Sequence, residues 1–72
     1  MNTKLLRELR EASGLTFQEI AKRAGYAVQT CWNAEQGRVS AETHENILAV
    51  LVAAVEQKRA EADELLAKVA AA

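Results

Sequence analysis

The 72-residue chain has no proline, three glycines, one cysteine, and one each of phenylalanine, tyrosine and tryptophan. With no proline and few glycines, little interrupts helices, and with three aromatics the core has to come from smaller aliphatic side chains. A single cysteine cannot close an internal disulfide, so nothing speaks for an oxidising compartment. One Cys and one His also fall short of a metal ligand set, and no cluster of acid, base and nucleophile suggests an enzyme. No apolar run reaches the ~18 residues of a membrane span. The opening MNTKLLRELREA alternates charge with leucine, unlike a secretory leader. A soluble, cytoplasmic protein with no cofactor and no small-molecule ligand is the expectation. The length lies near the lower limit for a self-sufficient core, so help from a second chain is plausible on size alone.

What is present is alanine, leucine and charge. Fifteen alanines in a chain that is 50% hydrophobic predict an all-α fold with a core of Leu, Ile, Val and Ala. Net charge is −1, but it is uneven. Residues 1–38 hold six Lys/Arg against four Asp/Glu, giving +2, and residues 39–72 hold three against six, giving −3. A mildly basic front and an acidic rear suit one part that faces a polyanion and one that avoids it.

Helical spacing of Leu5, Leu6 and Leu9 predicts a first helix over about 3–12, stopped by Ser13-Gly14. Thr16 with Glu19 three residues later reads as a capping box for a helix over 16–24, and Gly25 supplies a tight turn. A third helix occupies about 28–36 and ends at Gly37; Ser40 caps a long one from about 41. His44, in its first turn, is expected to be exposed. Cys31 reads as a buried inert thiol.

The third helix has two possible registers. Val28, Cys31 and Trp32 share the i, i+3, i+4 spacing of a buried stripe. Turned the other way, Cys31, Ala34 and the head of Glu35 face inward beside Ala27, while Val28, Gln29, Trp32, Asn33 and Gln36 make a continuous outward arc. Small residues opposite Ala21 and Ala24 favour the second register, with Trp32 outside. Its amides suit adenine edges and its apolar atoms suit a thymine methyl.

LRELREASGLTFQEIAKRAGYAVQTCWNAEQG resembles the helix-turn-helix domain of the phage Cro and repressor family. Leu9-Arg10, Gly14-Leu15-Thr16, Glu19-Ile20-Ala21, Gly25 and Glu35-Gln36-Gly37 carry the likeness, over roughly residues 5–37. The resemblance implies double-stranded DNA as partner, with base readers at Val28, Gln29 and Asn33 and Ala27 at the groove edge; Trp32 joins them from the same arc. It also implies an ion pair between Arg10 and Glu35. On the phosphate side the expected residues are Thr16, Phe17, Gln18, Lys22, Arg23, Gln36 and Arg38. Two departures stand out. Phe17 replaces the family's Gln, with Gln18 beside it as a substitute, and Ala27 replaces a Ser or Thr cap.

Residues 1–52 read as the DNA-binding domain and 53–72 as a helical extension. Positions 48, 51, 55, 58, 62, 65 and 69 follow a 4-3 spacing in which only Lys58 is not apolar. That pattern predicts a homodimer seam through Val55, Ala62, Leu65 and Val69. The function expected is a sequence-specific transcriptional regulator of a phage or bacterial cell; the alternative is a protein-interaction module, such as an antitoxin or adaptor.

Overall fold

The computed structural model describes residues 2–72, which form four α-helices and no strand. They are α1 (Thr3–Ser13), α2 (Phe17–Ala24), α3 (Val28–Glu35) and α4 (Ala41–Ala71). None of them is long and apolar enough to cross a membrane.

Three of the four starts have a side-chain cap. Asn2 Oδ1 accepts from the Leu5 N–H at 2.9 Å and Ser40 Oγ from the Thr43 N–H at 3.2 Å, each satisfying a donor that the first helical turn leaves open. At α2 the capping box is complete. Thr16 Oγ1 accepts from the Glu19 N–H, and Glu19 Oε1 accepts from the Thr16 N–H, both at 3.2 Å. The Thr16 backbone bond, followed by the bond to its hydroxyl, holds the Glu19 carboxyl below its usual range. Only α3 lacks such a cap: Ala27 stands at its start in an extended conformation.

Gly25 closes α2 at φ +77°, its N–H donating to the Ala21 carbonyl at 2.9 Å. A β-carbon would be strained in this left-handed cap, and the chain needs it to turn sharply into α3. Tyr26 packs against the core, and its hydroxyl accepts from Asn46 Nδ2 at 2.8 Å, which ties the turn to α4.

All four helices contribute to one core: Leu6 from α1, Ile20 and Ala21 from α2, Cys31 and Ala34 from α3, Ile47 and Leu51 from α4. Leu6, Ile20, Ile47 and Leu51 are the large members, and burying each contributes roughly 1.5–3 kcal/mol. Ala21 and Ala34 keep the α2 and α3 surfaces small, so the two short helices can approach closely. Burial raises the Cys31 thiol above its usual range, which suits an inert core residue.

His44 corrects an expectation: it is buried, not exposed. It lies three residues before Ile47 and seven before Leu51, on the helix face that closes the core, and goes inside with them. Its Nδ1 has no hydrogen-bond partner among the described residues.

The long helix outruns the globule. Ala54 is buried and Val55 half-buried, but from Glu56 to the end every residue is exposed. Leu51 and Leu48 of the 4-3 pattern are used inside the chain, in and against the core. Lys58 reaches the end of α1, its Nζ lying 3.1 Å from where a β-carbon on Gly14 would be. A cation there complements the open carbonyls of a helix C-terminus. Ala62, Leu65 and Val69 stand clear of the globule.

Candidate nucleic-acid interface

The structure takes the outward register of α3. Cys31 and Ala34 are 2% and 0% exposed, whereas Val28 and Trp32 are 43% and 41% exposed. With only one side of α3 turned to the rest of the chain, the small pair fits the close contact with α2 and the larger side chains stay at the surface. Gln29 is exposed between Val28 and Trp32, and Asn33 is half-buried. Gln29 Nε2 donates to Asn33 Oδ1 at 3.1 Å, one helical turn apart. This pairing leaves Gln29 Oε1 as an acceptor and Asn33 Nδ2 as a donor, the two kinds of group that pair with an adenine edge.

The ion pair implied for Arg10 and Glu35 is formed. Arg10 Nε donates to Glu35 Oε2 and Nη2 to Oε1 at 3.2 Å, a two-pronged contact from α1 to the last turn of α3. Both side chains are largely covered. The Glu35 carboxylate, through these bonds, holds the Arg10 guanidinium more firmly protonated than usual. Its effect is positional: it fixes the end of α3 against α1.

Phe17, which stands where the resemblance leads one to expect Gln, has a structural role. Its ring lies under the Arg10 guanidinium, 4.6 Å from carbon to centroid, and packs against the core. The side chain that replaces a Gln therefore buttresses the ion pair, and only the Phe17 backbone N–H remains for a phosphate. Thr16 is likewise engaged by Glu19, which its hydroxyl also reaches at 3.1 Å. Nothing in the residue pattern signalled this stack, because it joins α1 directly to α2 and depends on the angle between them.

Around α3 the other expected residues are all at the surface. Gln18 is exposed on the first turn of α2, where unused backbone N–H groups and the positive end of the helix favour an anion. Lys22 and Arg23 are exposed in the last turn of α2 and share a shallow concavity with Glu19. Ala27, Gln36 and Arg38 are exposed at the two ends of α3, and the Arg38 N–H donates to the Asn33 carbonyl at 2.9 Å. α3 thus exposes amides and apolar atoms, and the segments that precede and follow it expose Lys22, Arg23 and Arg38.

A family model described as a helix-turn-helix domain matches residues 4–65. No curated protein and no solved structure matches the chain.

Proposed function

We propose, for a chain that belongs to the helix-turn-helix domain family, the role of a sequence-specific transcriptional regulator of the phage repressor type, binding operator DNA as a homodimer. The observation that carries this reading is the outward face of α3, where Val28, Gln29 and Trp32 are exposed beside Asn33 while Cys31 and Ala34 anchor the opposite face. Gln29 and Asn33 read base edges, Val28 and Trp32 supply apolar contact, and Ala27 lies at the groove edge. Lys22, Arg23 and Arg38, with Gln18, Gln36 and the first N–H groups of α2, hold phosphates and set the register. The protein acts by occupancy, not catalysis. Residues 1–52 form the DNA-binding unit, and 53–72 the pairing segment through Val55, Ala62, Leu65 and Val69. Its place is the cytoplasm of a bacterial or phage-infected cell.

Selection of bound duplexes from a random library, followed by gel shift in moderate salt, tests the proposal. The expected outcome is a near-palindrome bound more tightly than random DNA by a factor of about 10³ or more. Equal retention of all sequences, or none at micromolar protein, overturns it. A second reading rests on the same exposed Trp32 and Val28 and on the net charge of −1: a docking face for another protein. It would be favoured by a partner protein that protects Trp32 where DNA does not.

A further inference from the structure

α4 turns the same side to its own globule and, further along, to nothing. At 100° per residue, with Leu51 at zero, His44 lies near 20° and Ile47 near 320°; eighteen residues on, at about five full turns, Ala62, Leu65 and Val69 fall on the same three directions. The first set is buried against α1–α3. Leu65, Leu66 and Val69, at 62%, 67% and 74%, are the most exposed large apolar side chains among the described residues. The bare seam is thus a continuation of the side on which the globule sits.

From this we infer that a second copy of the chain covers the seam in antiparallel orientation, deepening the homodimer part of the function proposed above, on which it rests. Packed helices lie about 8–10 Å apart. A parallel partner on the tail, followed back toward its own start, would enter the volume that α1–α3 fill. Its own globule, carried on its own seam side, would collide with the first α4. An antiparallel partner avoids both over most of its length, because each globule then lies at the far end of the other's tail, and only its last residues, opposite Lys58 to Val55, reach the globule's rim.

Charge agrees with this orientation. Placing Ala62 opposite Leu65 of the second copy, the layering of an antiparallel helix pair, brings Glu61 to Lys68 across the seam, twice by symmetry. In a parallel pair Glu61 would face Leu66 and gain nothing. The two-fold axis passes between residues 63 and 64. It lies about fourteen residues beyond Ala49, the middle of the core-facing stretch. At 1.5 Å per residue the two globules are therefore centred about 40 Å apart along the rod. That is somewhat over one turn of DNA.

Sedimentation of the full chain without DNA, from about 1 to 300 μM, with Glu61→Lys, Lys68→Glu and the double variant, tests the orientation. Wild type is expected to self-associate. Each single variant should weaken this by about tenfold or more, because like charges then face each other, while the double variant recovers it. An equimolar mixture of the two single variants should also associate, since each supplies the charge that the other lacks. Single variants that associate as well as wild type, a double variant that does not recover, or a wild type that stays monomeric throughout would overturn the antiparallel pair. Half-site DNA binding by the same preparations is read separately. A failure of pairing with that binding intact leaves the DNA reading standing.

Discussion

The two halves of α4 have the same hydrophobic period and opposite fates. In the first, Ile47, Leu51 and Ala54 are at most 6% exposed, and in the second, Leu65 and Val69 are more than 60% exposed. Periodicity decides which side of a helix a residue occupies; whether anything lies there depends on how much chain is left to cover it. Three short helices reach as far as Ala54 and Val55, with Lys58 at the rim. The two faces of α3 differ in the same way, one inserted among neighbours and one left for a partner. Substitutions on the covered sides should therefore be read out in stability, and those on the bare sides in association.

The largest contrast is expected within α4. Leu51→Ala should cost about 2–5 kcal/mol, much of the stability of so small a domain. Its circular-dichroism melt should be shifted far down or lost. Leu65→Ala removes the same atoms in the bare half and should leave the melt of the dilute monomer within about 0.5 kcal/mol, while weakening association at high concentration. An equal loss of monomer stability from both would mean that the tail folds back on the globule, and the distinction would disappear.

Arg10→Ala comes next, because it removes the bidentate pair with Glu35 and the stack on Phe17 together. The pair is partly wet, so a cost of about 1–3 kcal/mol is expected, below that of a fully enclosed pair. Denaturant titration measures it. Phe17→Leu, which keeps the core contact and removes the ring, should cost less. If it cost as much as Arg10→Ala, the ring rather than the ion pair would be the main support of the α1 to α3 contact.

Much of this was legible in the residue pattern, for identifiable reasons. Capping residues, Gly25 and the 3.6-residue period act locally, so the starts of α2 and α4, the turn and the inward set Cys31 and Ala34 could be placed without coordinates. The tail's apolar stripe was legible too. That cover on it extends as far as Ala54 and Val55 depends on how far α1–α3 reach. His44 was misplaced because its residue type was weighed above its position, which shares a face with Ile47 and Leu51. The Tyr26 to Asn46 bond joins residues twenty apart in the chain, beyond the reach of any local spacing, and the Phe17 stack depends on how α1 and α2 are turned about the link between them.

On the outer face of α3 the expected effects fall on binding. Gln29→Ala should cost about 1–3 kcal/mol on the selected operator and relax preference at one base pair. Lys22→Ala should weaken all sequences alike and lower the salt slope by about one. Trp32→Ala should leave the melt nearly unchanged, its ring being half outside, and reduce affinity, with wild-type emission responding to DNA. Unchanged binding by folded Trp32→Ala would remove Trp32 from the interface and strengthen the case for a protein partner at that face.

Glu19 gives the smallest effect and the sharpest refinement, because it is exposed and yet fully engaged within the chain. Its carboxyl is held below the usual range by the Thr16 N–H and hydroxyl. A group depressed in the folded state stabilises above its unfolded pKa, and that contribution is lost as pH falls through the folded value. Acidification below about pH 4 should therefore loosen the start of α2. The side chain is open to solvent, so the loss should be slight and smaller still in high salt. Glu19→Gln keeps an acceptor for the Thr16 N–H and removes the titration. Its melting temperature should be near that of wild type at neutral pH and should decline less steeply in acid. An acid limb identical in both proteins would show that the capping carboxylate contributes nothing to pH dependence, and that its engagement, unlike that of the buried face of α4, is without energetic weight.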